Sequence, residues 1–391
     1  MPVYLDNHST TRVDPRVVEA MQPCWLELYG NPGSTTHTFG HDAEQLVEQS
    51  RQRVAECLGV TSREIVFTSG ATESNNLALL GVAERFTEPG HVLSVASEHK
   101  AVLDPLALLE RRGWRRTLLP VAPQTSSGDV LPGQVDLQQF ADAIEPDTRI
   151  ATVMLANNEI GVLQPIAQLA AICRDQGVIF HCDATQAIGK LPLDLAQLGA
   201  DLYSLSAHKL HGPKGIGALV IRRRTPRVRL RPRMVGGGQE GGLRSGTLNV
   251  PGIVGLAAAL QLCVAELPEE QQRLADLRQR LWEGILLHVP SAELNGPPLQ
   301  DNCRLPNNLN ACFPGLDGEA LMINMPELAV SSGSACTSTN PRPSHVLASL
   351  GLSDDRVRSS LRFGLGRFNT EQEVLLACDA IGAAARRLRS L

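Results

Sequence analysis

Lys209 is the residue of this sequence with the clearest potential for covalent chemistry. It ends the mainly apolar, strand-like run of residues 200–209, beside a histidine and several hydroxyl side chains. Burial disfavours the charged form of an amine, and an unprotonated lysine can attack a carbonyl group to form a Schiff base. A lysine at the end of a strand is usually a solvated charge, so its role depends on the residues that the fold brings beside it.

Further segments carry polar groups at the ends of predicted strands. Residues 69–76, Ser-Gly-Ala-Thr-Glu-Ser-Asn-Asn, open a helix whose free N–H groups suit an anion. Asp183 closes another strand, Asn158 follows the preceding strand, and His99 follows an earlier one. Each feature alone is explained by a helix cap or a surface position. Together with Lys209 at one sheet edge, they predict a site for an aldehyde cofactor with a phosphate, in which Asp183 keeps the ring nitrogen of pyridoxal phosphate protonated.

The elements that must position these groups alternate between strands and helices from about residue 50 to residue 220. Continuous apolar runs, typical of parallel strands covered on both faces, occur at 64–67, 91–95, 150–154, 178–181 and 201–205. The run 215–221 follows Lys209 too closely for a helical crossover, so we expect it to pair antiparallel. The pattern predicts an α/β fold with a mostly parallel, helix-covered sheet. We place a large cofactor-binding domain at 16–255 and a smaller α+β domain at 1–15 plus 256–391.

One cysteine differs in its setting from the others. The sequence has 9 cysteines without a Cys-x-x-Cys pair, which argues against a disulfide framework or a zinc knuckle. Most are expected to be small buried side chains, and Cys182 has no predicted role beyond packing. Cys336 lies in residues 331–344, which contain almost nothing that could join a core. We therefore predict an exposed, mobile loop that carries a reactive thiol.

Size and charge are those of an ordinary cytoplasmic protein. The chain of 391 residues is long enough for one large and one smaller domain. Its 36 basic and 41 acidic residues give a net charge of -5, which offers no overall attraction for nucleic acid. The first residues resemble no signal peptide, and no apolar run is long enough to span a bilayer. We expect a cytoplasmic location and neither a membrane nor a nucleic acid as a direct partner.

Several motifs occur in order along the chain: Ser-Gly-Ala-Thr-Glu-Ser (69–74), Glu-His-Lys-Ala-Val-Leu (98–103), Asn-Asn-Glu-Ile-Gly (157–161), Asp-Ala-Thr-Gln (183–186), Ser-Ala-His-Lys-Leu-His-Gly-Pro-Lys-Gly-Ile-Gly (206–217), Arg-Ser-Gly-Thr (244–247) and Ser-Ser-Gly-Ser-Ala-Cys-Thr-Ser (331–338). They resemble those of cysteine desulfurases, pyridoxal-phosphate enzymes of the class V aminotransferase family. The cysteine motif resembles the NifS/IscS-type group, whose catalytic loop is long. The resemblance extends from residues 4–7 to 361–367 and implies fold type I, with a seven-stranded type of sheet.

The resemblance implies a role for each matching residue at the cofactor. Lys209 would bind pyridoxal phosphate covalently, Asp183 would pair with the ring nitrogen, and Gln186 would contact the ring oxygen. His99 would stack on the ring and assist proton transfer. The phosphate would be held by two subunits of a homodimer, through Ala71, Thr72, Ser206 and His208 of one subunit and Thr247 of the other.

The resemblance also implies the substrate and the reaction. Asn158, which would also contact the cofactor, and Arg362 would position L-cysteine, because a guanidinium matches a carboxylate through two hydrogen bonds. The freed amine of Lys209 would remove the α proton, and the Cys336 thiolate would take the sulfur. L-alanine would leave, and a sulfur-acceptor or scaffold protein would receive the Cys336 persulfide for iron–sulfur cluster assembly or tRNA thiolation. We expect no resident metal, and Cys336 is the candidate for contact with a transient iron–sulfur cluster.

Four other interpretations are open at this point. An aminotransferase or lyase would keep Lys209 and Asp183 but would have no use for Cys336. Cleavage of selenocysteine would use the same residues, and a non-catalytic scaffold would use none of them. A metal site is disfavoured because Gly212-Pro213 stops any helix at its candidate ligands, which are His208, His211, His181 and Cys182.

A run of arginines predicts a local basic surface. Seven arginines lie within residues 222–233, and alternate ones share one face of an extended segment. A solvated strand face is the ordinary explanation. Our hypothesis is that these arginines attract an acidic partner, such as the sulfur acceptor: Arg227, Arg229, Arg231 and Arg233.

Overall fold

The computed structural model describes residues 2–224, 227–299, 302–332 and 343–390. Its strands are β1 (Val3–Tyr4), β2 (Ile65–Thr68), β3 (His91–Val95), β4 (Arg115–Leu119), β5 (Thr148–Thr152), β6 (Ile179–Asp183), β7 (Leu202–Ser206), β8 (Gly217–Ile221), β9 (Glu293–Leu294), β10 (Asn308–Cys312), β11 (Leu328–Ala329), β12 (Ser331–Ser332) and β13 (Ser360–Gly364). Its helices are α1 (Pro15–Met21), α2 (Pro23–Leu26), α3 (Thr38–Leu58), α4 (Ala71–Ala83), α5 (Lys100–Arg111), α6 (Leu137–Asp142), α7 (Ile166–Asp175), α8 (Leu195–Leu198), α9 (Val250–Ala265), α10 (Leu267–His288), α11 (Gly318–Ile323), α12 (His345–Ser349), α13 (Asp354–Arg358) and α14 (Glu371–Arg389).

Within these described residues, seven strands form one large sheet in the order β2-β8-β7-β6-β5-β3-β4. The neighbours from β7 to β4 run parallel, whereas β8 is antiparallel to both β2 and β7. The antiparallel pairing of β8 follows from its short connection to β7, which leaves no room for a helical crossover. The predicted α/β fold with a mostly parallel sheet is confirmed.

Helices cover both faces of the large sheet. Apolar residues of α4 and α5 pack on one face, and those of α3, α7 and α9 pack on the other. Every residue of β2, β3, β7 and β8 is buried. This two-sided cover explains why the strands appear in the sequence as continuous apolar runs.

A smaller sheet with the order β12-β13-β10-β9 is formed by strands from the C-terminal part of the chain, all paired antiparallel. Helices α10 and α14 pack beside it, and Ile285, Phe313, Phe363 and Ile381 are fully buried in this second core. Helix α9 continues across the predicted domain boundary at residue 255. The division of the chain into domains at that point stays a prediction.

The parallel strands bring their carboxyl ends to one edge of the large sheet. His99, Asn158 and Asp183 come at or after the ends of β3, β5 and β6, and β7 leads through a tight turn to Lys209. Antiparallel β8 begins at this same edge, where Gly217 pairs with Ser206. A Cβ atom at Gly217 would lie 2.7 Å from Gly70 Cα, so glycine is required for this approach to the start of α4.

Within the described residues, no single helix has both the length and the apolar composition to cross a membrane. Helices α9 and α10 meet that criterion only when taken together, and they are bent by 76° at their junction.

Candidate active site

A cavity of about 500 Å³ opens at the carboxyl edge of the large sheet. Most of the residues predicted for the cofactor line it, namely Ala71, Thr72, His99, Asn158, Asp183, Gln186, Ser206, His208 and Lys209. The structure therefore brings together groups from four separate strand ends and one helix start. Their roles toward a cofactor stay predictions at this point.

The amine of Lys209 lies against the N-terminal segment of the chain. Its Nζ donates hydrogen bonds to the backbone carbonyls of His8 and Ser9, both at 2.6 Å. Burial, and then the positive charge of Arg362, lower the pKa of Lys209 to about 8 from 10.5. Such an amine is far more often unprotonated near neutral pH than an exposed lysine, as a nucleophile or base requires.

Asp183 is a buried carboxylate held by donors from two elements. Its Oδ2 accepts from Asn75 Nδ2 on α4 at 2.8 Å, and its Oδ1 accepts from the backbone N–H of Thr185 at 3.0 Å. Burial, and then the charge of Asp183, raise the pKa of the neighbouring Glu98 well above its ordinary value. Burial beside Asp183 thus favours the protonated form of Glu98.

The start of α4 provides a cradle for an anion. Gly70 precedes the helix with a φ of 150°, in the range that favours glycine. The first N–H groups of a helix lack intrahelical acceptors, so those at Ala71 and Thr72 suit phosphate oxygens. Ser206 and His208 complete the lining. Burial and the charge of Lys209 lower the pKa of His208 to about 4, so its imidazole is neutral and contacts the Thr10 hydroxyl at 3.1 Å.

An ion pair lies beside this cradle. Glu73, in the first turn of α4, accepts from the backbone N–H of Ser69 at 2.7 Å and from Arg244 Nε at 2.9 Å. Arg244 thereby neutralises a carboxylate next to the anion site and attaches its own segment there. Thr247, three residues further on, is exposed and does not line the cavity of its own chain.

His99 lines the cavity, whereas Arg362 does not line it and contacts Asn158, which does. His99 caps α5, and its Nδ1 accepts from the backbone N–H of Ala101 at 3.1 Å, which leaves the proton of the neutral ring on Nε2. Arg362 lies on β13 and is 8% exposed. Its Nη1 donates to the backbone carbonyl of Asn158 at 3.3 Å, and its Nη2 donates to Asp6 Oδ1 at 2.7 Å.

The segment that leads to Cys336 begins next to Arg362. Ser331 pairs with Arg362 in register between β12 and β13, and Arg362 Nη2 donates to Ser331 Oγ at 3.0 Å. Cys336 itself lies outside the described residues, as does most of the predicted loop 331–344. The described start of the predicted loop, Ser331–Ser332, therefore lies beside the predicted substrate arginine.

Sequence reasoning missed several residues of the site. His8, Asn75, Glu98 and Lys190 contact predicted site residues and were not singled out. The sequence could have indicated the contact of Lys190 with Gln186, because the two residues are four positions apart, which is the spacing of neighbours on a helical turn. For His8 the sequence held no such signal, since its partner lies 178 positions away.

The three histidines of the alternative metal site have separate partners. His181 contacts the hydroxyls of Thr152 and Ser204 at 2.8 and 2.9 Å. His211 Nδ1 lies 3.0 Å from the backbone carbonyl of Arg12. In the part of the chain that the structure describes, the three rings and Cys182 therefore do not form a common group of metal ligands.

Comparison with known proteins gives consistent matches along the chain. The family profile "Aminotransferase class-V" matches residues 3–376. "Cysteine desulfurase IscS" of Anaeromyxobacter dehalogenans (strain 2CP-C) is 49% identical over 392 residues, covering 100% of this chain and 94% of the relative. "Cysteine desulfurase IscS" of Proteus mirabilis (strain HI4320) is 48% identical, with 100% and 94% covered. A solved structure titled "NIFS-LIKE PROTEIN" is 38% identical, with a TM-score of 0.90 and 100% of both chains covered.

Proposed function

Because the chain belongs to the class-V aminotransferase family, and within it to the cysteine desulfurases, we propose that it removes sulfur from L-cysteine to give L-alanine. The observation that carries the proposal is the convergence of Lys209, Asp183 and the start of α4 on one cavity. An amine of lowered pKa, a buried carboxylate and an anion cradle are the groups that a pyridoxal-phosphate enzyme needs.

The cavity fits pyridoxal phosphate by the chemistry of its donors. The N–H groups of Ala71 and Thr72, with Ser206 and the neutral His208, would hold the phosphate. Asp183 would pair with the ring nitrogen, and Lys209 would hold the cofactor covalently. A Cβ at Gly217 would meet Gly70 Cα at 2.7 Å, so this glycine keeps the cradle together. When bound, pyridoxal phosphate withdraws electrons from the α-carbon of an amino acid.

The residues of the chain would bind the substrate and move its proton. Arg362 binds the carboxylate of L-cysteine, beside Asn158. The amine of Lys209 accepts the α proton, which its lowered pKa favours. His99, which presents Nε2–H, donates a proton within the same cavity.

Cys336 would take the sulfur as the nucleophile. Its thiolate forms an S–S bond to the substrate sulfur, the substrate C–S bond breaks, and the electron pair of that bond stays on carbon. Protonation of this carbon gives L-alanine, and the enzyme keeps the sulfur as the Cys336 persulfide. The anchoring of Ser331 beside Arg362 supports this role, because it starts the cysteine segment next to the substrate arginine.

A basic cleft supports an acidic sulfur acceptor. A cleft of about 750 Å³, apart from the cavity, is lined by six arginines and three glutamates. Arg51 is paired with Glu48 and Glu240. The other five arginines are Arg63, Arg85, Arg223, Arg227 and Arg229. Arg227 and Arg229 are exposed, and the residue between them is buried, as expected for one face of an extended segment. We name these five residues the arginine cleft. Complementary charge on the acceptor would speed its encounter with the enzyme.

An exposed apolar patch supports a homodimer. Trp25, Leu26, Tyr29 and Phe39 are all at least half exposed, and the rings of Tyr29 and Phe39 lie 5.5 Å apart. Exposed aromatic clusters of this kind mark protein interfaces. In the proposed dimer, the exposed Thr247 of each subunit completes the phosphate site of the other. The proposal also includes a cytoplasmic location and delivery of sulfur to iron–sulfur cluster assembly or to tRNA thiolation.

The test is a single-turnover reaction of the purified, cofactor-loaded protein with L-cysteine. We expect one L-alanine per subunit and a Cys336 peptide heavier by one sulfur atom. Cys336→Ala should form no persulfide, and Lys209→Ala should lack visible cofactor absorbance and release no alanine. Cys57→Ala, at a partly exposed cysteine, is the matched control and should behave as the wild type. Wild-type alanine release by Cys336→Ala would contradict the persulfide step.

A further inference from the structure

Lys190 is a second lysine close to the proposed cofactor site. It lies four residues after Gln186 in the turn that follows β6, and its Nζ donates to Gln186 Oε1 at 2.9 Å. His8 Nδ1 approaches the same oxygen at 3.1 Å. The oxygen end of the Gln186 amide is therefore contacted by two nitrogen groups from different parts of the chain.

The nitrogen end of this amide is fixed as well. Gln186 Nε2 donates to the backbone carbonyl of His8 at 3.0 Å. A carbonyl only accepts hydrogen bonds, and an ammonium only donates them, so both ends assign the same orientation to the amide. An amide nitrogen carries two N–H groups, and the carbonyl of His8 uses one. Since Gln186 lines the cavity, the second N–H is available there.

The same carbonyl links this amide to the reactive amine. The backbone oxygen of His8 also accepts from Lys209 Nζ at 2.6 Å. Lys190, Gln186, His8 and Lys209 thus form one hydrogen-bonded chain beneath the cavity. A substitution at Lys190 would therefore affect the cavity by changing the orientation of the Gln186 amide.

We propose that Lys190 is a positioning residue that makes Gln186 present its amide nitrogen, rather than its oxygen, to the ring oxygen of pyridoxal phosphate. The inference rests on the proposed function, in which Gln186 contacts that ring oxygen. The ring oxygen is electron-rich and accepts hydrogen bonds, so a flipped amide would place two acceptors against each other. Holding the nitrogen toward the cavity converts a repulsive contact into a hydrogen bond.

The protonation state of Lys190 does not decide this role. Burial, followed by the charge of Lys209, lowers the pKa of Lys190 to about 7. The ammonium has three N–H groups and the neutral amine has two, so a donor faces Gln186 Oε1 in both states. Lys190→Met removes every donor and keeps a similar length, which isolates the hydrogen bond.

The experiment is a double-mutant cycle between Lys190→Met and Gln186→Ala. The readouts are the dissociation constant for pyridoxal phosphate and the wavelength of its visible absorption band. We expect Lys190→Met to weaken cofactor binding about fivefold to tenfold and to shift the band, as for loss of one hydrogen bond. In the Gln186→Ala background, the same change should alter the dissociation constant less than about twofold, because the amide that Lys190 orients is gone.

Two controls keep the experiment decisive. Lys100→Met, at an exposed lysine, should change neither readout, and Gln186→Glu, which offers oxygens in place of the amide nitrogen, should weaken binding even with Lys190 intact. An equal effect of Lys190→Met in both backgrounds, or no effect in the wild type, would overturn this inference alone. Failure of the wild-type protein to bind pyridoxal phosphate would overturn the proposed function, and this inference with it.

Discussion

Arg362 donates to Asp6 Oδ1 at 2.7 Å, so the proposed substrate arginine is held by a carboxylate before substrate arrives. The same guanidinium nitrogen donates to Ser9 Oγ at 2.7 Å. Both Nη atoms of the guanidinium are thus held by the protein, and Nε is a buried donor without a partner among the described residues.

Replacing Arg362 by glutamine should weaken substrate binding and leave cofactor binding intact. A hydrogen bond to a charged group contributes about 1.5–3 kcal/mol, so we expect the KM for L-cysteine to rise about 10- to 100-fold. Steady-state alanine formation measures the KM, and visible absorbance checks the cofactor. Asp6→Asn, which keeps the shape of the side chain, is the control and should raise the KM less than Arg362→Gln. Equal KM values for Arg362→Gln and wild type would contradict the assignment.

The attachment of pyridoxal phosphate to the cofactor-free protein should follow the titration of Lys209. Its pKa is lowered to about 8, chiefly by burial, so the unprotonated fraction reaches one half at about pH 8 and levels off about one to two pH units above it. The rate constant of attachment, measured by visible absorbance, should rise and level in the same way. A rate that keeps rising beyond about pH 10 would indicate an ordinary exposed lysine and would contradict this prediction.

Asp14 should contribute strongly to stability. Its carboxylate is 1% exposed, caps α1, and accepts from Arg16 and from Arg367 Nη1 at 2.7 Å. Asp14→Ala removes a buried ion pair and a helix cap, so it should lower the free energy of unfolding by about 3 kcal/mol. Arg16→Ala, at a half-exposed partner, should lower it by less than about 1 kcal/mol. Urea unfolding of the cofactor-free proteins measures both, and equal losses would contradict the prediction.

The contribution of Asp14 should also depend on pH in a defined direction. Hydrogen bonds from Arg16 hold the pKa of Asp14 well below its ordinary value. Its stabilisation is therefore fully present above the unfolded-state pKa of about 3.9 and is lost as the pH falls below it. The difference in unfolding free energy between wild type and Asp14→Ala should shrink on acidification below pH 4.

Charge reversal in the arginine cleft should slow sulfur transfer to an acidic acceptor. Arg227→Glu combined with Arg229→Glu should lower the rate of persulfide transfer and weaken its dependence on salt, because steering by opposite charge is screened by ions. Alanine formation with a small thiol as acceptor should not change. Arg53→Glu, outside the cleft, is the matched control. Transfer that is unaffected by the double reversal would remove the arginine cleft from the proposal.

The sequence predicted which residues meet at the carboxyl edge of the large sheet better than it predicted the segments that pack around them. The convergence of His99, Asn158, Asp183 and Lys209 followed from a local rule, because parallel strands share one carboxyl edge. The antiparallel pairing of β8 followed from the short connection between β7 and β8. Both inferences need only neighbouring residues along the chain.

The N-terminal segment was not predictable in the same way. His8 and Asp6 reach the site through contacts with residues that are remote in sequence, and no periodic pattern marks such contacts. Asn7, for example, donates to the backbone carbonyl of Gly364 at 2.9 Å. The role of Gln186 came from resemblance, and only the fold shows that Lys190 and His8 contact its amide.

The position of the first residues has a consequence for the order of biosynthesis. His8 and Ser9 provide the oxygens that hold Lys209, yet this segment is fixed through Asn7 to Gly364, which the ribosome adds 357 positions later. Residues 7–9 therefore cannot take their final place before Gly364 has been synthesised. A nascent chain cannot hold Lys209 in its final surroundings until it has been extended past Gly364.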